Sequence, residues 1–132
     1  MIEFFEDENT EMITSLFSTD DMLDNFVEVG LLPFRTGDYG LDVMDMCNNA
    51  TAVFGTFYSN MFGDIAGELK VHEGVFNMTG NHTWLSVGGL IIDLTLAQFY
   101  SGAPKIAFCS IDTPEYQAVK TYDFHDWLKA QI

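Results

Sequence analysis

The run Thr83-Trp84-Leu85-Ser86-Val87-Gly88-Gly89-Leu90-Ile91-Ile92-Asp93-Leu94-Thr95 constrains the fold more than any other segment. Two β-rich stretches joined by Gly-Gly predict an antiparallel hairpin with a two-residue turn. With Gly88 and Gly89 as the turn, Val87 pairs with Leu90, Leu85 with Ile92, and Trp84 with Asp93. Leu85, Val87, Leu90, Ile92 and Leu94 then form one apolar face. His82 and Trp84 share the other face, where Asp93 is a diagonal neighbour of His82. A slip of one residue would put them on opposite faces. An aspartate inside Ile91-Ile92-Asp93-Leu94 is costly to bury without a partner, and His82 is the nearest candidate.

Upstream of this hairpin the apolar period is helical. Thr10 or Asn9 can cap a short helix through Met12, Ile13, Leu16 and Phe17. Ser18-Thr19-Asp20-Asp21 predicts a second cap, with acids in the first turn where the helix dipole favours them; Gly30 suits the position just past the end. Pro33 to Gly40 reads as a loop. Ala50, Val53, Phe54, Phe57, Tyr58 and Met61 make a core-facing stripe of a longer helix ending near Gly63. Asp42 or Asp45 can cap that helix, which puts Cys47 in its first or second turn on the inward face. From Ile65 the pattern turns to strand, with Glu68 to Phe76 alternating around Gly74. Lys105 to Ile111 predicts another strand, broken at Asp112-Thr113-Pro114, and the tail to Ile132 is expected to cover an edge as a short helix. The fold class is therefore α+β: N-terminal helices, one of them Cys-bearing, packed on an antiparallel sheet.

The 132 residues suit one domain, and an apolar fraction of 48% is enough for one core. Within it, residues 1–40 form an acidic helical part, 42–99 a core helix plus hairpin, and 100–132 a closing strand and tail. No apolar run reaches the roughly 18–20 residues that span a bilayer, and the N-terminus lacks a basic region and apolar stretch of signal-peptide type. A cytoplasmic protein is the expectation, with no membrane partner. On that expectation the sequons at Asn49, Asn77 and Asn81 are chance matches.

The formal charge is −15, and twelve of the twenty acids fall before Asn48, against Arg35 alone. Such a surface repels nucleic acid and attracts basic partners.

Cys47, His82 and Asp93 offer the three roles of thiol catalysis: a nucleophile, a base that returns its proton, and a group that orients the base. An early helical turn favours a thiolate through its dipole and free N–H groups. Asp42 and Asp45 oppose it, so ionisation depends on His82 becoming imidazolium. The Cys47 main-chain N–H is one candidate oxyanion donor and Asn48 another. Trp84 reads as packing that shields the His–Asp pair. Cys109, in a strand-like apolar run, reads as buried filler. His72-Glu73 and His125-Asp126 lack a second ligand pair, so no metal site is expected, and no phosphate-binding glycine loop is present.

Asn81 to Thr95, with Ala97-Gln98-Phe99 following, resembles the His-to-Asp hairpin of papain-like, transglutaminase-like cysteine enzymes. The resemblance covers about Asp42 to Phe99. It implies a minimal papain-like core in which Cys47 is the nucleophile, His82 the general base and acid, and Asp93 the orienter, with no cofactor. The implied reaction is acyl transfer on a protein or peptide, ending in hydrolysis, deamidation or transfer to an amine. Met46 stands where many members carry a small residue close before the cysteine. Two readings from other classes stay open on the residues: an acidic binding protein or nucleic-acid mimic that engages a basic partner, and an inert core thiol beside a structural histidine.

Overall fold

The computed structural model describes residues 2–63 and 68–131. The expected strand start at Ile65 lies outside them. Helices α1 (Glu8–Leu16), α2 (Thr19–Glu28), α3 (Tyr39–Asp42) and α4 (Cys47–Phe62) precede strands β1 (Leu69–Phe76), β2 (Gly80–Val87), β3 (Leu90–Asp93), β4 (Ala107–Ser110) and β5 (Tyr116–Asp123), and α5 (Phe124–Gln131) closes the described chain. The strands form one antiparallel sheet in the order β4-β3-β2-β1-β5. The class is α+β. No helix among the described residues is long and apolar enough to cross a membrane.

The caps explain the first two helices. Asp7 caps α1, not Thr10 or Asn9: its carboxylate accepts the Thr10 N–H while the Thr10 hydroxyl accepts the Asp7 N–H, both at 2.9 Å. Ser18 caps α2 as expected, accepting the Asp21 N–H, and Gly30 follows the helix with φ 83. Neither Asp42 nor Asp45 caps α4. Met46 stands at that cap without a side-chain hydrogen bond, so Cys47 is the first residue of the helix. The buried face of α4 is Ala50, Thr51, Phe54 and Gly55, while Val53 and Met61 are exposed. The helix is thus turned from the expected stripe. Gly55 sets this: a Cβ there would lie 2.1 Å from the Phe124 ring, so the glycine lets α5 seat its aromatic against α4.

The hairpin keeps the expected register, Val87 with Leu90 and Leu85 with Ile92, but its ladder ends there. The Asp93 carboxylate accepts the Thr95 N–H at 3.0 Å, which turns the chain out of the strand before Trp84 can pair. Residues 80–84 of β2 therefore run past the end of β3. One sheet face packs Leu69, Val71, Leu85, Ile92 and Phe108 against α1, α2, α4 and α5. The other buries Phe76, Trp84, Ile91, Cys109 and Tyr116 under Ile2, Leu96 and their neighbours. A sheet covered on both faces forces polar side chains on the second face to find partners inside it.

The tail departs from its expected form. It begins as an eight-residue edge strand, β5, paired along β1, and only then becomes the helix whose Phe124 and Trp127 enter the core. The strand signal, Val119, Thr121 and Tyr122 among polar residues, is weak because only one end of β5 is buried.

Candidate active site

Cys47 and the His–Asp pair come from opposite sides of the sheet. α4 packs on one face, whereas His82 and Asp93 point into the other, and they meet where β2 outruns β3. His82 Nε2 donates to Asp93 Oδ2 at 2.7 Å, with both side chains buried. The Tyr116 hydroxyl donates to the same oxygen at 2.7 Å, and the Thr95 N–H takes Oδ1. The carboxylate is thus met by three donors. Burial alone would raise the Asp93 carboxyl, but His82, Thr95 and Tyr116 together hold it below the usual range.

The other imidazole nitrogen, Nδ1, is buried with no hydrogen-bond partner. The Cys47 thiol lines the same cleft as His82, near enough for each to shift the other's charge. Burial would raise that thiol, but the neighbouring His82, with Thr83 beside it, brings it below its ordinary value. Burial likewise opposes the imidazolium, yet Asp93, with Cys47 adding to it, lifts His82 to about 9. The two shifts favour the same proton arrangement, a thiolate beside an imidazolium.

The expected opposition from Asp42 is absent. Its carboxylate is turned away into a cluster, accepting Arg35 Nε at 2.8 Å and the Thr36 N–H and hydroxyl, and it is lowered from the usual carboxyl range despite the desolvation that opposes it. Asp45 is exposed.

Aromatic rings enclose the imidazole. Phe99, Trp84, Phe76 and Tyr116 stand with ring centroids 5.1 to 6.3 Å from it. Trp84 is buried and packs beside the imidazole. On the open side, Cys47 and His82 line a cleft of ≈ 430 Å³ with Asn48, Glu73, Gly74, Asn81 and Lys120. Gly74 pairs with His82 across the sheet at an irregularity between β1 and β5; a Cβ there would lie 2.0 Å from the Gln117 carbonyl oxygen. Asn48 is in the cleft but exposed. The first turn of α4 has no side-chain cap at Met46.

Cys109 is fully buried, and desolvation raises its thiol to about 11. His72 is committed elsewhere, between the Ser86 hydroxyl at 2.7 Å and that of Thr121 at 2.9 Å. Among the described residues no three His, Cys, Asp or Glu gather as a metal site. Sequence reasoning missed Thr83, which lines the cleft beside Cys47 and His82, and Tyr116, whose strand it did not assign.

Compared with known proteins, the chain matches no family model, no curated protein and no solved structure.

Proposed function

We propose that the chain is a papain-like thiol enzyme that transfers acyl groups through Cys47. The observation that carries this reading is the arrangement around one imidazole: Nε2 is fixed by Asp93 at 2.7 Å, and the ring shares a cleft with a thiol at the first residue of a helix. An orienter, a base and a nucleophile in that order are what acyl transfer by a thiol requires.

The chemistry follows from those atoms. The Cys47 thiolate attacks an acyl carbon, the S–C bond forms, and the carbonyl π pair moves onto oxygen. Main-chain N–H groups at the start of α4 stabilise that oxyanion. As the carbonyl re-forms, the bond to the leaving group breaks, and the His82 imidazolium gives it the Nδ1 proton. A water or amine then attacks the thioester, His82 takes its proton, and the thiolate departs. Asp93 holds the ring's orientation throughout. Hydrolysis, deamidation and transfer share these steps and differ in the leaving group and acceptor. The cleft is open enough for a peptide or a protein side chain, and the chain's −15 charge favours a basic substrate protein.

Labelling with iodoacetamide near neutral pH tests the reading, with buried Cys109 as the internal control. Fast modification of Cys47 that slows strongly in His82→Ala is expected. Equal, slow labelling of both cysteines would sink the proposal.

A further inference from the structure

Cys47 is delivered by a turn with an unusual backbone. Asp45, two residues before it, has φ 62, a left-handed conformation that an L-residue adopts only at a cost. The helix cap that follows, Met46, gives no side-chain hydrogen bond to hold that geometry. What reaches this turn is Gln98: its side-chain oxygen accepts the Asp45 N–H at 3.3 Å. Gln98 sits in a 3-10 turn, Leu96–Gln98, begun by Thr95, whose N–H is held by Asp93 and whose carbonyl accepts the Gln98 N–H at 3.1 Å. A short hydrogen-bonded path thus runs from the orienting carboxylate through Thr95 to the amide that grips the nucleophile's turn.

Two further links tie the same segments together. The Tyr39 hydroxyl donates to the Leu94 carbonyl at 3.0 Å, and Gly40 lies so close to Ala97 that a Cβ would meet its carbonyl oxygen at 2.7 Å. Those contacts seat α3. Gln98 alone of the three reaches the residue with the left-handed backbone. Its Nε2 is buried without a hydrogen-bond partner, so the Asp45 N–H is the polar contact its side chain makes.

We infer that Gln98 is a positioning residue for the nucleophile, clamping the Asp45 turn so that Cys47 stays in register with His82 and Asp93. This rests on the reading of Cys47 as nucleophile. Gln98 touches neither thiol nor substrate; it acts through the main chain.

The test uses the full chain and the pH dependence of iodoacetamide labelling at Cys47. Gln98→Met, similar in shape but without an acceptor for the Asp45 N–H, is expected to slow labelling by about ten- to a hundredfold. Its midpoint should move to higher pH, while the melting temperature and the protection of Cys109 hold. Asp45→Gly, which adopts the left-handed turn freely, is expected to label at least as fast as wild type and to restore much of the rate in the double variant. An unchanged rate and midpoint in Gln98→Met would overturn the inference. So would a slowdown matched by exposure of Cys109, a double variant no faster than Gln98→Met, or slow labelling in Asp45→Gly alone. Failure of the enzyme reading looks different: wild-type Cys47 would itself label slowly and ignore His82→Ala.

Discussion

Tyr116 and His82 share one acceptor, Asp93 Oδ2, each at 2.7 Å, although Tyr116 lies on the edge strand β5 and Asp93 three strands away on β3. The hydroxyl reaches across the buried face of the sheet to a carboxylate that water does not reach. Burial and the neighbouring negative charge push the Tyr116 hydroxyl well above its ordinary range, so it remains a donor at every physiological pH. Tyr116→Phe keeps the ring and removes one of three donors from a buried carboxylate, at a cost of about 1–3 kcal/mol. Thermal melting should register that loss, while Cys47 labelling should fall far less than in Asp93→Asn, because the His82 bond survives.

Asp93→Asn tests the orienting role. Without the carboxylate, burial dominates at His82, and the imidazole should fall from about 9 to below its ordinary value. The thiolate loses its counter-charge, and acyl transfer is expected to drop by about 10³–10⁴-fold. NMR titration of His82 checks the direction: an imidazole that still titrates near 9 in the variant would remove Asp93 from the role assigned to it.

The pH profile of turnover should be bell-shaped, whereas Cys47 labelling, which needs only the thiolate, should share its acid limb alone. The acid limb marks protonation of a thiolate whose pKa lies below the ordinary thiol value; the alkaline limb marks loss of the imidazolium near 9. Stability has a related signature, with the sign set by each shift. His82 is raised in the folded state, so its contribution is complete below about 6.5 and is lost as pH climbs through about 9. Asp93 is lowered, so its contribution is present above about 3.8 and is lost on acidification through its folded value. Denaturant midpoints measured from pH 3 to 10 on wild type and on His82→Ala should differ in slope on the alkaline side.

Arg35 anchors the segment that leads to Cys47. Its guanidinium binds Asp20, Asp24 and Asp42 at 2.8 to 3.0 Å, and of these only Asp42 is wholly buried. Arg35→Met strands that carboxylate, and breaking a buried pair by removing one partner costs about 3–5 kcal/mol. Arg35→Met with Asp42→Leu should recover part of the loss in a denaturation series. Equal losses in the single and double variants would show that the exposed pairs, not Asp42, carry the effect.

Gly55→Ala probes the packing that aims α4. The added methyl would sit 2.1 Å from the buried Phe124 ring, an overpacking worth about 1–3 kcal/mol. Because α4 begins at Cys47, a helix shifted by the clash should also slow labelling; the companion change Phe124→Leu should relieve both effects.

The features legible from sequence are those written in neighbouring residues. The Ser18 cap and Gly30 stop of α2 depend on side chains a few positions from the backbone they satisfy. The β2–β3 register followed from Gly88-Gly89 and the alternation around it, since a two-residue turn leaves one pairing that keeps both apolar runs on one face. The same register brought His82 to Asp93, eleven residues apart in the chain. The cap of α1 was misplaced for a local reason too: Asp7 and Thr10 satisfy each other reciprocally, and either residue taken singly is a plausible cap.

What the chain order could not state was decided by contacts between distant segments. Cys47 stands 35 positions before His82, and their meeting depends on α4 crossing one face while β3 stops short of the end of β2. Asp42, read beside Cys47 as a threat to its thiolate, was drawn away by Arg35 because a buried carboxylate needs a cation more than it needs its sequence position. β5 was hidden because an edge strand buries little and carries little apolar pattern, so Tyr116 at its start went unassigned. Sequence by itself determined the α+β order of elements, the hairpin and its His–Asp pair, through short-range periodicity and turn geometry. Only the tertiary structure decided that a thiol would face that pair and that Tyr116 and Thr83 would complete its surroundings. Periodicity tells each element which face to bury, but what that face meets is fixed when all the elements pack at once.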